Sequence, residues 1–197
     1  MKKLITISTV ILTTLFLSFT SNEKKVVLLD VGHGGKDNGA TTENPILEKD
    51  VTLQIAQKIQ KLNDNPNLEI KLTRNSDEFM TIEDRVKHIN NVKPDYLISI
   101  HANFHGDTIR KGIEFYYTEN NSFAEESKDL ADKLQAGFED ELNFYKTNQA
   151  NFLVLRKANC PAVMIETGFL SNEEDLAFLT SEKGQTKIAK QILLSLK

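Results

Sequence analysis

The sequence predicts a single-domain α/β protein with a mostly parallel or mixed central sheet of about six strands and helices on both faces. Strand-like apolar segments alternate along the chain with segments whose apolar residues recur at helical spacing. The 197 residues, 40% of them hydrophobic, are enough for one domain with a sizeable core. Because no internal repeat or low-complexity tract interrupts this pattern, we predict that residues 25–197 form one domain.

The predicted strands are short apolar runs, and the predicted helices follow from caps and periodicity. Val26–Leu29 is continuously apolar, which is typical of a strand buried on both faces. The first helix is predicted to open at Asn44 and Pro45, since asparagine is a common N-cap and proline fits the first helical position. We predict strands at Lys25–Asp30, Leu68–Thr73, Asp95–Ile100, Gly112–Tyr117, Phe152–Leu155 and Ala162–Glu166. Helices are predicted at 45–62, Thr81–Asn91 and Ser122–Glu139, and two short helices close the chain.

The N-terminal segment has the pattern of a secretory signal peptide. Lys2 and Lys3 precede the uncharged stretch Leu4–Phe19, and small residues follow around Ser18–Ser21. We therefore predict that residues 1–20 direct export to the periplasm or the cell wall. The apolar run is shorter than the ~20 residues that span a bilayer comfortably, and an uncleaved N-terminal anchor is the alternative. The membrane would be a partner only in that case.

The charge pattern argues against nucleic acid as a partner. The formal net charge is −4, and the chain contains no run of lysine or arginine residues. This balance leaves both small and polymeric substrates open, and we expect the chain to act as a monomer.

Titratable side chains follow three of the predicted strands at their carboxyl ends. The first, third and last strands lead into His33, His101 and Glu166, respectively. Open α/β sheets place their ligand sites at this edge, so we expect the three side chains to converge if these strands are parallel neighbours. Each residue also has a plainer explanation, since His33 can be a turn residue and Glu166 a surface strand end.

Glu48 is predicted to join this group from the first helix. The apolar stripe of that helix includes Val51, Ile55 and Ile59, and a step of three residues back from Val51 leads to Glu48. A carboxylate on the inward face needs a partner, because burying an unpaired charge is strongly unfavourable. Glu48 lies one position beyond the capping-box site counted from Asn44, so a bound cation explains it better than helix capping does.

Two histidines and a carboxylate are a common set of ligands for catalytic zinc, and they leave a fourth position for water. We therefore predict that His33, Glu48 and His101 bind Zn²⁺. Glu166 would act as general base and then general acid in a hydrolysis. The wide spacing of these residues provides no compact zinc motif, and the pattern alone leaves the substrate open.

Four ordered segments carry recognisable motifs: LLDVGHGGKDNGA (Leu28–Ala40), LTR (Leu72–Arg74), SIHAN (Ser99–Asn103) and PAVMIETGFLSNEEDLAFL (Pro161–Leu179). Together with Glu48 early in the first helix, they resemble the zinc-dependent N-acetylmuramoyl-L-alanine amidases, the type-3 amidase family. The resemblance extends over essentially the whole chain from Val26 onward. It implies zinc binding by the same three residues that the strand ends and the helix stripe indicate, with Glu166 as the catalytic carboxylate.

The resemblance also implies a substrate. It identifies residues 25–197 as an amidase catalytic domain that cuts peptidoglycan between the lactyl group of N-acetylmuramic acid and L-alanine of the stem peptide. Asn103 and Arg156 occupy positions where the family pattern suggests substrate contacts. Two departures stand out: Val31 replaces a proline that is usual in the family, and Tyr145–Asn148 reads YKTN where many relatives carry an Arg-Gly pair.

Two other functions stay open at this point. A zinc peptidase or carboxypeptidase acting within the stem peptide would use the same metal chemistry on another bond. A non-catalytic wall-binding or regulatory module on the same fold would be expected to lose a zinc ligand or the catalytic carboxylate. All four residues are present in this sequence, which argues against the second alternative.

Overall fold

The computed structural model describes residues 23–42, 46–139 and 144–197. The predicted signal peptide (residues 1–20) and the predicted helix start at Asn44 and Pro45 lie outside the described residues. Within those three ranges, no helix combines the length and the apolar character needed to cross a membrane.

The described elements alternate between strand and helix over most of the chain. In chain order they are β1 (Lys25–Val31), α1 (Glu48–Leu62), β2 (Leu68–Leu72), α2 (Ile82–Val92), β3 (Tyr96–Asn103), β4 (Ile113–Tyr117), α3 (Ala124–Glu139), β5 (Phe144–Gln149), α4 (Leu153–Lys157), β6 (Ala162–Phe169), α5 (Glu173–Leu179) and α6 (Glu182–Ser195).

The strands form one six-stranded mixed sheet in the order β2-β1-β3-β6-β4-β5. β2, β1, β3 and β6 are parallel neighbours, while β4 runs antiparallel to β6 and parallel to β5. This arrangement confirms the predicted α/β architecture. It also places β1, β3 and β6 side by side and parallel. The carboxyl ends of the strands associated with His33, His101 and Glu166 therefore lie at the same end of the sheet.

Helices cover both faces of the sheet. Leu29 and Ile98 belong to the larger core cluster, which packs against α1, α3 and α6. Leu28 and Leu97 point the other way, into a second cluster with residues of α2 and α4. Because both faces are buried, successive residues of β1 and β3 are mostly apolar. The exceptions Asp30 and Ser99 pair with each other, since the Ser99 hydroxyl donates to Asp30 Oδ2 at 2.7 Å.

The prediction of a strand at Phe152–Leu155 is wrong. The chain forms α4 (Leu153–Lys157) there, and Val154 and Leu155 are buried against the sheet. A run of four apolar residues fits a short strand and a helical turn equally well, so periodicity could not separate them. The strand at this edge of the sheet is instead β5. Its sequence, FYKTNQ, has two aromatic residues followed by four polar ones, so no hydrophobic pattern predicts a strand there.

The first helix begins later than predicted. It opens at Glu48 with Leu47 as its N-cap, and no side chain caps it. Leu47 forms a β-bridge with Thr41, and the Glu48 N–H donates to the Ala40 carbonyl at 2.9 Å. Residues 46 and 47, which the prediction included in the helix, therefore precede it.

Candidate functional site

Three of the predicted side chains meet at the carboxyl edge of β1 and β3. His33 lies in the loop after β1, His101 lies on β3, and Glu48 opens α1. One potential ligand atom from each residue lies within 4.8 Å of the other two. The centroids of the two imidazole rings are 5.0 Å apart. The three side chains are therefore close enough to hold one metal ion.

Glu48 is the buried centre of this trio. Its Oε1 accepts hydrogen bonds from His101 Nδ1 at 2.9 Å and from the Ala102 N–H at 3.1 Å. Its Oε2 accepts from the Ala40 N–H at 2.9 Å and lies 3.0 Å from His33 Nε2. Burial acts to raise the pKa of Glu48, but the hydrogen bonds from His101 and His33 outweigh it and hold this pKa well below its usual range.

The same contacts shift the pKa values of the two histidines in the opposite direction, upward. Burial acts to lower the pKa of His33 and His101, but hydrogen bonding to Glu48 raises both above their ordinary value. The nearby charge of Glu166 raises the pKa of His101 further. Metal ligands bind in their deprotonated form, so a cation at these atoms would replace the protons that the trio otherwise shares.

Two buried arginines hold the loop that carries His33. Arg85 donates to the carbonyls of Val31 at 2.6 Å and His33 at 3.0 Å. Arg74 donates to the carbonyl of Gly32 between them at 2.7 Å. His33 has a φ of +58°, a left-handed conformation that is uncommon outside glycine. The two guanidinium groups thus satisfy three consecutive carbonyls and fix an unusual backbone.

Val31 is accommodated by a hydrogen bond that proline could not make. Its N–H donates to Thr73 Oγ1 at 2.9 Å. Arg85, which binds the Val31 carbonyl, also forms a buried ion pair with Asp30 at 2.6 Å. These contacts hold the loop where a proline ring would have restricted it.

Asp37 is a functional candidate that the sequence analysis missed. Its Oδ2 lies 2.9 Å from His33 Nδ1. Burial acts to raise the pKa of Asp37, but the hydrogen bond from His33 lowers it below its ordinary value. When Nδ1 donates to this carboxylate, His33 Nε2 keeps its lone pair on the side of Glu48, as is usual for a metal-binding histidine. The sequence signal for this contact was the position of Asp37, four residues after His33 in the same glycine-rich loop.

Glu166 lies beside the trio on a rigid element. It is the Cα partner of His101 on the neighbouring parallel strand. Its Oε2 is buried and has no hydrogen-bond partner in the described part of the chain. Burial raises the pKa of Glu166 to about 7; the charges of Glu48 and Glu114 act in the same direction, and His101 opposes them. A carboxylate with these properties suits proton transfer near neutral pH.

The trio and Glu166 open onto a cleft of about 360 Å³. Asn103, at the end of β3, also lines it, and its Nδ2 donates to Glu114 at 2.6 Å. Arg156 lies half-buried on α4 and is not among the described residues that line the cleft. The rest of the lining is largely apolar and includes Met80, Ile82, Phe104, Phe152, Leu153 and Val154.

Known proteins are similar to this chain in sequence and in fold. Residues 27–197 match the family model described as N-acetylmuramoyl-L-alanine amidase (Amidase_3). The probable cell wall amidase LytH of Staphylococcus epidermidis is 31% identical over 186 residues, which cover 91% of this chain and 60% of that protein. LytH of Staphylococcus saprophyticus is 34% identical over 86% of this chain and 56% of its own length. The chain therefore spans about 56–60% of the length of these curated relatives.

Solved structures agree with the family match. The N-acetylmuramoyl-L-alanine amidase from Clostridium difficile 630 superposes with a TM-score of 0.83 and 32% identity, covering 88% of this chain and 95% of that one. The catalytic domain of CwlV, an N-acetylmuramoyl-L-alanine amidase from Bacillus (Paenibacillus) polymyxa, gives a TM-score of 0.80 and 36% identity over 87% of this chain and 96% of its own. Sequence and fold lead to the same conclusion: this chain belongs to the N-acetylmuramoyl-L-alanine amidase family.

Proposed function

We propose that this chain is a zinc-dependent N-acetylmuramoyl-L-alanine amidase that hydrolyses bacterial peptidoglycan. The bond cut is the amide between the lactyl group of N-acetylmuramic acid and L-alanine of the stem peptide. Family membership and the naming of relatives as cell wall amidases support this substrate. The observation that carries the chemistry is the unpartnered Oε2 of Glu166 beside the candidate metal ligands.

The donor set fits zinc. His33, Glu48 and His101 would supply two imidazole nitrogens and one carboxylate oxygen, a combination that zinc hydrolases use while keeping a fourth position open. When bound there, zinc would lower the pKa of a coordinated water toward ~7 and polarise the scissile carbonyl. Asp37 would orient His33 from behind, as carboxylates commonly do for metal-binding histidines.

Glu166 would move the proton in this reaction. Its carboxylate takes a proton from the water that attacks the lactyl carbonyl. The same proton then goes to the nitrogen of L-alanine as the C–N bond breaks, so the products are a lactyl carboxylate and a free amine. Because Glu166 lies on β6 and lines the cleft, its carboxylate would stay near the substrate in both proton-transfer steps.

We also propose that Asn103 and Arg156 contact the substrate, and the structure supports Asn103 better. Asn103 lines the cleft, and its amide nitrogen has a second N–H besides the one directed at Glu114. That N–H can donate to a carbonyl of the substrate. Arg156 has less support, because it lies on α4 beside the lining residues Leu153 and Val154 but does not itself line the cleft.

We further propose that residues 1–20 export the chain and that it acts as a monomer in the periplasm or at the cell wall. This segment begins with charged residues, continues with a short apolar stretch and ends in small residues, a pattern that supports export. The staphylococcal relatives are named probable cell wall amidases, which is consistent with that location.

The rival functions make different predictions. A stem-peptide peptidase would shorten the peptide and leave the lactyl amide intact. A non-catalytic module would bind wall material without releasing any product. The presence of Glu166 together with all three candidate ligands argues against the non-catalytic module, because a binding protein has no use for an unpartnered buried carboxylate oxygen.

The substitution Glu166→Gln tests the proposed chemistry. The variant should keep its zinc, measured by elemental analysis, and should lose at least ~10²-fold in turnover on purified peptidoglycan. Glu69→Gln, on the exposed outer part of β2, is the matched control and should match the wild type. Undiminished turnover by the Glu166 variant would remove this residue from the reaction, and wild-type protein that binds no zinc would remove the metal.

A further inference from the structure

Glu114 is a second buried carboxylate near the site, and the proposed reaction does not use it. It lies on β4 with only 2% of its surface exposed. It is the Cα partner of Glu166 on the antiparallel strand β6. Directly opposed residues of antiparallel strands point to the same face of the sheet, so the two carboxylates are neighbours on the cleft side.

The two carboxylates differ sharply in their hydrogen bonds. Glu114 Oε2 accepts from Asn103 Nδ2 at 2.6 Å and from the Tyr116 hydroxyl at 2.9 Å. Lys146 Nζ lies 3.3 Å from Glu114 Oε1. Glu166 Oε2, by contrast, has no partner in the described residues. Three donors are directed at one carboxylate, while an oxygen of its neighbour receives none.

The donors held by Glu114 are close to Glu166 as well. Tyr116 is the strand partner of Met164, two residues from Glu166 on β6. Burial, the hydrogen bond to Glu114 and the nearby charges of Glu114 and Glu166 raise the pKa of Tyr116 well above its ordinary value, so its hydroxyl stays a proton donor. Asn103 follows His101 on β3, the strand that pairs with β6 on its other side. A donor that turned to Glu166 would stabilise its charged form and make it a weaker base.

We propose that Glu114 is a positioning residue that keeps the Asn103 amide and the Tyr116 hydroxyl away from Glu166, so that the Glu166 carboxylate stays available to accept a proton. This role rests on the proposed function of Glu166 as general base. The sequence carried a signal for it, since Glu114 is the only charged residue in the strand IEFYY.

The first test is Glu114→Gln, which removes the charge that attracts both donors and keeps the shape. We expect kcat to fall about 10-fold, a part of the ~10²-fold or greater contribution of a general acid–base group. Zinc content should not change, since no proposed metal ligand is altered. Glu125→Gln, at the exposed start of α3, is the matched control.

The second test separates positioning from a merely structural role. Adding Tyr116→Phe to Glu114→Gln removes one of the released donors and should recover about threefold or more of the lost kcat. A structural network would instead lose further activity with each substitution. If Glu114→Gln does not fold, Glu114→Asp draws the carboxylate back from its donors while keeping the charge, and the same recovery by Tyr116→Phe is expected.

Wild-type kcat in the Glu114 variant, or a double variant no faster than the single one, would overturn this role. These outcomes are distinct from failure of the proposed function. Full activity of Glu166→Gln would remove the base itself. A slow Glu166→Gln variant beside an unaffected Glu114→Gln variant would overturn the positioning role alone.

Discussion

His101 and Glu166 are Cα partners on β3 and β6, two parallel strands in the middle of the sheet. Both strands are covered by helices on either face, so sheet hydrogen bonds and core packing fix the distance between these residues. A candidate metal ligand and the candidate base are thus placed by the most rigid part of the fold. The loop after β1 and the start of α1 then need to add only His33 and Glu48.

Asp37 should matter for metal affinity rather than for stability, because it is half-exposed and contacts His33. Asp37→Ala removes the acceptor that orients the imidazole, and we expect zinc binding to weaken about 10–100-fold. Competition with a chromogenic chelator measures this affinity. Asp50→Ala, on the exposed side of α1, should leave it unchanged. Equal affinity in both variants would show that Asp37 does not orient the ligand.

Arg85 should matter for both stability and metal binding. Arg85→Lys keeps the charge but cannot reach Asp30, the Val31 carbonyl and the His33 carbonyl together. We expect the free energy of unfolding of the zinc-free chain to fall by about 1–3 kcal/mol, the cost of leaving buried acceptors unpaired. Urea denaturation measures it, with the half-exposed Arg110→Lys as control. Unchanged stability together with unchanged zinc affinity would contradict the role of this arginine in holding the loop.

The zinc-free chain should lose stability as the pH rises above 6.5, the ordinary pKa of histidine. The pKa values of His33 and His101 are raised above 6.5 in the folded state, so their stabilising protons are fully present below that value and are lost above it. Glu48 acts in the other direction, because its lowered pKa contributes stability above 4.5 that is lost in acid. Zinc replaces the lost protons, so the increase in Tm on adding zinc should grow over the same interval.

Differential scanning calorimetry with and without zinc measures this effect. Glu48→Gln is the informative control, because it removes the partner that raises both histidine pKa values. Its zinc-free Tm should therefore vary less above pH 6.5 than that of the wild type. A wild-type Tm that rises with pH in the absence of zinc would show that the trio does not share protons as described.

Much of the fold followed from the sequence because the central strands are buried on both faces. The largely apolar runs of β1, β3 and β6 admitted few other interpretations. The edge of the sheet was harder. The polar strand β5 pairs with a single neighbour and shows no hydrophobic pattern, while the apolar residues at Phe152–Leu155 build part of α4 instead.

The candidate site likewise contains residues that the sequence predicts and residues that only the structure reveals. His33, His101 and Glu166 follow predictable strands, and Glu48 continues a helical stripe, so geometry could bring them together in advance. Asp37 and Glu114 act through other side chains, and only the register of the sheet and the path of the glycine-rich loop reveal their contacts. Positions that depend on a loop conformation such as the +58° φ of His33 are beyond what hydrophobic periodicity can predict.

The identity of the cleaved bond tests the central claim most directly. Purified peptidoglycan would be digested by the zinc-loaded protein in water enriched in heavy oxygen, and the products analysed by mass spectrometry. Amide hydrolysis at the lactyl group predicts intact stem peptides with a free L-alanine amine, together with glycan strands whose new lactyl carboxylates carry the heavy oxygen. Shortened stem peptides, with L-alanine still attached to the glycan and the heavy oxygen in peptide carboxylates, would contradict it.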